Sequence, residues 1–212
     1  MSDLEQEKRL AAEAAAELVT PGQRVGLGTG STVAHLLSAL AGRRLADVRC
    51  VATSPATERL ARELGLHVEP FEELDRLDIA IDGADQIAPD HWLVKGGGGA
   101  HTREKVVAQA AERFVVIAGS DKSVEAIRAP VPLELLAFGL QATLRELADA
   151  TLRDGPPSPD GGVIADFHGR VEDPAALAAA LDAVPGVIAH GLFAPVLVSA
   201  VLVASGDEVR AL

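Results

Sequence analysis

The first part of the chain alternates between apolar residues at helical spacing and short, continuous apolar runs. Residues 4–19 carry the helical pattern, which Pro21-Gly22 ends. Further helices are predicted over about 31–40 and 102–111, and from Pro55, with Ser54 as its cap, to Gly65. Continuous runs predict buried strands at 24–28, 48–52, 77–81, 92–94 and 114–118. Strands that alternate with helices in this way predict an α/β fold with a largely parallel sheet.

The pattern changes at residues 129–132, Ala-Pro-Val-Pro. The next 70 or so residues are predicted as strand, helix, strand, strand, helix and strand, with the helices at about 139–149 and 174–184. This order is typical of a small ferredoxin-like module. The segments 196–203 and 208–212 are expected to return to the first sheet. The predicted domains are therefore residues 1–129 plus 203–212, and residues 130–202.

Composition and charge exclude several classes of partner. The net charge of −12 argues against nucleic acid and anionic membranes as partners, because proteins that bind them carry an excess of Lys and Arg. It still allows a small anionic substrate. Cys50 is the only cysteine, so neither an intramolecular disulfide nor a cysteine zinc site is expected. The six histidines show no metal-ligand spacing, and no metal site is predicted. With no signal-peptide pattern and no membrane-spanning run, a cytoplasmic protein is expected.

A glycine-rich segment, Gly26-Leu-Gly-Thr-Gly-Ser-Thr32, lies between a predicted strand and a predicted helix. Glycines allow close approach of a ligand, and a helix start attracts anions. The segment lacks the Lys of a P-loop and misses the dinucleotide fingerprint. An anion site and a simple turn with Ser31 as N-cap are equally compatible with this pattern.

Asp82-Gly-Ala-Asp85 follows a predicted strand directly. The carboxyl ends of parallel strands form the edge where open α/β sheets bind ligands. Asp and Gly are also common turn residues, so the motif by itself favours an ordinary turn.

Residues 95–105 combine Lys95, four consecutive glycines and Glu104. Each glycine costs backbone entropy on folding, so the run favours a function that needs close approach to the backbone. Lys95 and Glu104 provide one cation and one potential base. Stabilisation of a helix start is the structural alternative for Glu104.

Together and in this order, the three segments resemble those of the type A ribose-5-phosphate isomerases. The segments are Val25-Gly-Leu-Gly-Thr-Gly-Ser-Thr32, Asp82-Gly-Ala-Asp85 and Lys95-Gly-Gly-Gly-Gly-Ala-His-Thr-Arg-Glu-Lys105. Further similar segments lie at 52–54, 116–122, 132–135, 184–188 and 191–193. The resemblance implies a Rossmann-like main domain with a smaller ferredoxin-like α/β lid domain, assembled as a homodimer or homotetramer.

The resemblance also implies an activity, the interconversion of ribose 5-phosphate and ribulose 5-phosphate without a metal or other cofactor. Glu104 resembles the proton acceptor, and Asp82, Asp85 and Lys95 are further catalytic candidates. An enediolate path needs such a base and donors for the developing oxyanion. The resemblance further implies that Lys8 approaches the substrate. The implied substrate-binding residues are Thr29, Gly30, Ser31, Thr32, Asp82, Gly83, Ala84, Asp85, Lys95, Gly96, Gly97, Gly98 and Lys122.

The chain departs from the family pattern at Gln86, where Glu is usual, at His101, where an apolar residue is common, and at residues 119–121. Three other functions compete with the isomerase. An aminosugar-phosphate deaminase would need its own acid–base set, and the glycine run argues against it. A sugar-phosphate sensor that binds without turnover would need a partner domain for its output, and the sequence shows no DNA-binding segment and no basic patch. An apolar scaffold leaves residues 95–104 unexplained.

Overall fold

The computed structural model describes residues 3–73 and 76–212. Its helices are α1 Asp3–Ala16, α2 Ser31–Arg43, α3 Pro55–Glu63, α4 His101–Ala110, α5 Leu140–Leu147 and α6 Pro174–Asp182. Its strands are β1 Arg24–Leu27, β2 Arg49–Ala52, β3 Ile79–Asp82, β4 Gln86–Ile87, β5 Leu93–Val94, β6 Phe114–Gly119, β7 Val131–Leu135, β8 Ala150–Leu152, β9 Val163–Phe167, β10 Val187–His190, β11 Leu192–Phe193, β12 Ala200–Ser205 and β13 Glu208–Ala211.

The described residues form two compact units. The first unit lies within residues 1–84, 103–122 and 196–212, and the second comprises residues 85–102 and 123–195. The predicted domain limits at 129/130 and 202/203 stay a prediction. None of the described helices has the length and apolar character needed to cross a membrane.

The first unit contains a sheet with strand order β13-β12-β6-β3-β1-β2. Its strand pairings are parallel except that of β12 with β13, which follow each other in a hairpin. The continuous apolar runs explain this arrangement: all six residues of β6 are buried, as expected for a central parallel strand. Ala, Leu and Val side chains from α1, α2 and the central strands make one aliphatic core. The largely parallel α/β sheet is confirmed.

The second unit contains a four-stranded antiparallel sheet with order β10-β7-β9-β8. With α5 and α6, the chain order is β-α-β-β-α-β, so the ferredoxin-like prediction is confirmed. Its core includes Val131, Leu133, Ala165 and Leu181. A small sheet of β11, β5 and β4 belongs to the same unit.

Two helix starts and one strand start can be compared with their predictions. Ser54 caps α3 by accepting a hydrogen bond from the Thr57 N–H at 3.2 Å, as predicted. Ser31 is not the N-cap of α2: Gly30 takes that position with a φ of 114°, and Ser31 begins the helix. The strand predicted from residue 196 begins only at Ala200, because residues 195–197 form a 3-10 turn.

Candidate active site

Gly28 lies directly after β1 and packs against the carboxylate of Asp82 at the end of β3. A Cβ atom placed on Gly28 would lie 1.9 Å from both Cγ and Oδ1 of Asp82. No real Cβ atom approaches so closely, so residue 28 must be glycine for the carboxylate to stay where it is. The glycine at position 28 of the glycine-rich segment is therefore explained by steric contact with Asp82, which the sequence could not show.

The Asp82 carboxylate is 3% exposed and is held by backbone donors. The Thr29 N–H donates to Oδ1 at 3.0 Å, and the Gly83 N–H donates to the same oxygen at 2.7 Å. Backbone N–H groups that point at a carboxylate stabilise its charged form and fix its orientation. The first two sequence motifs thus meet at the carboxyl ends of β1 and β3.

A chain of hydroxyl groups continues from this point. The Thr29 Oγ1 lies 2.8 Å from the Thr53 Oγ1, and the Thr57 hydroxyl donates to the Gly28 carbonyl oxygen at 2.8 Å. Gly30 and Ser31 are exposed at the start of α2. The first N–H groups of a helix have no intrahelical acceptor, so this exposed start is suited to an anion.

Glu104 and Lys122 also belong to the first unit. Glu104 lies in the first turn of α4 and is only 4% exposed. Lys122 ends a 3-10 turn, and its Nζ lies 3.0 Å from Oδ2 of Asp121. Lys8, the additional candidate, lies 3.3 Å from Glu5, whose other carboxylate oxygen lies 2.6 Å from His35 Nε2.

Glu7, which sequence reasoning did not single out, holds the backbone beside Lys122. Its carboxylate is buried and accepts 2.8 Å hydrogen bonds from the N–H groups of Gly206 and Ser120 and from the Ser120 hydroxyl. These donors, with Gly206 the strongest, lower the pKa of Glu7 below its ordinary 4.5. No local signal marks this role, because Glu7 and Ser120 are 113 residues apart.

In the second unit, Lys95 is buried at the end of the short strand β5. It is 3% exposed, and its Nζ lies 5.4 Å from the centroid of the Phe193 ring. Its backbone N–H donates to the Gly191 carbonyl oxygen at 2.9 Å, which continues the β5–β11 pairing. The face of an aromatic ring attracts an ammonium charge, and burial restricts the Lys95 side chain to this position.

The glycine run after Lys95 contacts Asp85 and Arg153, and sequence reasoning missed both Arg153 and the carboxylate that pairs with it. The Gly97 N–H donates to Oδ2 of Asp85 at 2.8 Å. An Nη1 of Arg153 donates to the carbonyl oxygens of Gly96 at 2.9 Å and Gly97 at 3.1 Å, while Asp166 binds the other side of the guanidinium. Gly97 and Gly98 are exposed.

The structure explains one of the two single-residue departures from the family pattern, Gln86, and shows the surroundings of the other, His101. The Gln86 amide donates to the Arg128 carbonyl oxygen at 2.7 Å and accepts from the Arg128 N–H at 2.9 Å. A Glu could only accept, so the amide suits this exchange better. His101 is fully buried as the first residue of α4, and a Cβ atom on Gly96 would lie 2.7 Å from its Nδ1.

The larger of two cavities on the molecule is not the one next to the predicted site residues. A cavity of about 210 Å³ borders the glycine run and is lined by Gly97, Gly98, Gly99, Arg153, Asp154, Gly155, Pro156, Pro157 and Ile164. A larger one of about 750 Å³ lies around the amino end of β2, next to Arg49 and Cys50, and none of the predicted site residues lines it. The buried charged residues are the better indication. Among the described residues, no group of three His, Cys, Asp or Glu side chains has the geometry of a metal site.

Comparison with known proteins identifies the family. A family model described as ribose 5-phosphate isomerase A (phosphoriboisomerase A) matches residues 49–208. Ribose-5-phosphate isomerase A from Caulobacter vibrioides is 48% identical over 88% of this chain and 89% of its own length. The chain belongs to the ribose 5-phosphate isomerase A family. It is therefore an enzyme of the isomerase class.

Solved structures of the family agree with this fold over almost the whole chain. A D-ribose-5-phosphate isomerase in complex with phospho-erythronic acid has a TM-score of 0.93 at 32% identity, covering 100% of this chain and 99% of its own. Ribose 5 phosphate isomerase A from Neisseria gonorrhoeae has a TM-score of 0.94 at 31% identity, covering 99% and 96%. The fold class inferred from the resemblance is confirmed.

Proposed function

We propose that this enzyme interconverts ribose 5-phosphate and ribulose 5-phosphate through an enediolate, with Glu104 as the base and without a metal ion. The observation that carries the proposal is the burial of Glu104 in the first turn of α4, close in sequence to the buried Lys95 and its glycine run. A carboxylate and an ammonium group suit a proton transfer beside a carbonyl, which needs a base and a donor to the developing oxyanion. The names of the relatives supply the substrate.

Glu104 would remove the proton from C2 of the aldose and return it to C1. The two oxygens of the enediolate need donors as charge develops, and Lys95 and N–H groups of the glycine run are suited to this role. Asp82 and Asp85 would move hydroxyl protons, including the one released when the furanose ring opens. The backbone donors on both carboxylates support such a role, because they keep each acceptor oriented.

The phosphate group would bind at the start of α2, with Thr29, Gly30, Ser31 and Thr32 as donors. Lys122 and Lys8 would provide positive charge in a chain whose net charge is −12. Lys122 is paired with Asp121 and Lys8 with Glu5, so the substrate phosphate would compete with these carboxylates for the lysine charges. Binding energy from this end of the substrate can orient the reacting carbons.

The solved relative with bound phospho-erythronic acid supports this reaction class. That ligand is a sugar acid phosphate, and its planar carboxylate resembles an enediolate in shape and charge. We propose that the present enzyme binds the same kind of planar, charged group with Lys95 and the glycine run.

We also propose that the enzyme works in the cytoplasm as a homodimer or homotetramer. Phe138 is 86% exposed and Val196 is 90% exposed, and large apolar side chains at the surface are often covered by a second subunit. Light scattering on the purified protein measures the mass directly. A monomeric mass at assay concentration would contradict the oligomer.

The decisive experiment follows ketose formation from ribose 5-phosphate in the presence of EDTA. We expect full activity with the chelator and a loss of about 10²- to 10⁴-fold in kcat for Glu104→Gln, the usual range for removal of a general base. Calorimetry with phospho-erythronic acid checks that the variant still binds. The control is Glu63→Gln, which changes an exposed carboxylate of the same unit.

Each alternative has its own outcome. Near-wild-type turnover of Glu104→Gln would remove Glu104 as the base, and activity lost with EDTA would contradict the metal-independent path. Tight binding without turnover in the wild-type protein would favour a sugar-phosphate sensor.

A further inference from the structure

One peptide group of the glycine run connects an arginine to a catalytic candidate. The Gly96 carbonyl oxygen accepts a hydrogen bond from Arg153 Nη1 at 2.9 Å. The N–H of the same peptide group, that of Gly97, donates to Asp85 Oδ2 at 2.8 Å. The peptide dipole is therefore aligned between a guanidinium on its oxygen side and a carboxylate on its hydrogen side.

This peptide group needs an external constraint because both of its residues are glycine. A turn of this peptide plane changes ψ of Gly96 and φ of Gly97, and the absence of a Cβ at both residues leaves these two angles little restricted. A flip of the peptide plane would turn the carbonyl oxygen toward the Asp85 carboxylate and the N–H toward Arg153. Both contacts would then be repulsive, so the charges select the observed orientation.

Arg153 is itself held in place. Its Nε donates to Asp166 Oδ2 at 3.0 Å and its Nη2 to Oδ1 at 2.5 Å, a two-bond pairing that leaves Nη1 directed at the glycine carbonyls. Asp166 lies within β9, between its partners in β7 and β8. The backbone N–H of Arg153 also donates to the Ile164 carbonyl oxygen of β9 at 3.0 Å. The guanidinium is thus anchored to the antiparallel sheet.

We propose that Arg153 is a positioning residue for the isomerase reaction, which acts on the Asp85 carboxylate through the Gly96–Gly97 peptide group. The inference rests on the proposed function, since it assigns Asp85 the movement of hydroxyl protons. Arg153 does not react with the substrate. It fixes the N–H group that orients Asp85, and Asp166 fixes Arg153.

The reaction in D2O separates this role from a structural one. Starting from ribulose 5-phosphate, the base removes a C1 proton to form the enediolate. Return of a deuteron to C1 restores a labelled ketose, whereas delivery to C2 gives the aldose and requires the hydroxyl proton to move from O1 to O2. A carboxylate that moves hydroxyl protons therefore affects net isomerisation more than C1 exchange.

The test compares both rates in Arg153→Ala and wild-type protein by proton NMR. We expect net aldose formation to fall about tenfold, the effect of losing roughly one charge-assisted hydrogen bond, and the ratio of C1 exchange to aldose formation to rise by a similar factor. Added guanidinium ion should restore part of the net rate. Arg145→Ala, which removes an exposed arginine of α5 in the same unit, should leave both rates and the ratio unchanged.

Two milder variants keep the test valid if Arg153→Ala does not fold. Arg153→Lys keeps the positive charge but cannot bind Asp166 and the Gly96 carbonyl oxygen at the same time with a planar guanidinium. Asp166→Asn keeps the shape of the side chain that holds Arg153 but removes its charge. Both should raise the ratio in the same direction. Exchange and isomerisation that fall in parallel, with an unchanged ratio, would reduce Arg153 to a structural residue and overturn the inference. Wild-type protein that catalyses neither reaction would instead overturn the proposed function, and the inference with it.

Discussion

The carboxylate of Asp82 occupies the space in which a side chain of residue 28 would lie. The distance from an ideal Cβ on Gly28 to Asp82 Cγ is 1.9 Å, and the next residue, Thr29, donates its N–H to the same carboxylate. The glycine lets the β1 loop pack directly against the carboxylate, and the N–H then orients it. The glycine-rich segment, whose sequence is also compatible with a simple turn, therefore holds the candidate catalytic carboxylate of Asp82 in position.

Gly28→Ala should displace Asp82 and reduce activity strongly. Overpacking of this kind costs about 1–3 kcal/mol of folding stability, and misplacement of the carboxylate by about 1 Å can cost about 10²-fold in kcat. Gly42→Ala is the matched control, because nothing lies within 4 Å of a Cβ there and the residue is helical. Chemical denaturation and steady-state assays measure both effects. A Gly28→Ala enzyme with normal kcat would show that the position of Asp82 does not matter for the reaction.

Lys95→Gln should lower kcat by about 10²- to 10³-fold, the usual effect of removing an oxyanion donor. The variant keeps a polar group of similar length next to Phe193 but removes the charge. Circular dichroism should show an unchanged fold, and KM should change less than kcat. A variant whose KM rises while kcat stays normal would make Lys95 a binding residue only.

Glu7→Gln should destabilise the protein by about 1–3 kcal/mol near neutral pH, because it weakens three hydrogen bonds to a buried carboxylate. The pKa of Glu7 is lowered in the folded state, first by the Gly206 N–H. The carboxylate therefore stabilises the fold above its ordinary pKa of 4.5, and this contribution is lost as pH falls through the lower folded pKa. Urea denaturation at several pH values should show a wild-type advantage that shrinks in acid. An advantage that is constant with pH would contradict the role of the charge.

Cys50 should resist thiol reagents in the native protein at a pH of about 8. The thiol is fully buried, and burial, followed by the negative charge of Glu69, raises its pKa to about 12. Labelling with Ellman's reagent should be complete in denaturant and very slow without it. Rapid labelling of the folded enzyme would mean that the region around the amino end of β2 opens easily.

Much of the fold can be predicted because it depends on local patterns. The apolar runs predict β1, β2, β3 and β6 to within about two residues, and the Ser54-Pro55 pair predicts the start of α3 correctly. The strand β4 escapes prediction because Gln86-Ile87 is too short for a periodicity and, unlike Leu93-Val94 of β5, is not an apolar run. Residue type favours Ser31 as an N-cap, but the positive φ of the cap position selects Gly30.

The sequence by itself determined the alternating α/β pattern, the ferredoxin-like order of the second unit and the motifs that identify the family. Only the tertiary structure decided why Gly28 must be glycine, what holds Asp82 and Asp85, and that Arg153 and Asp166 fix the glycine run. The physical reason is separation along the chain. Arg153 and Gly96 are 57 residues apart, and Thr29 and Asp82 are 53 apart. Hydrogen bonds over such separations depend on strand order and register, which local residue patterns do not encode.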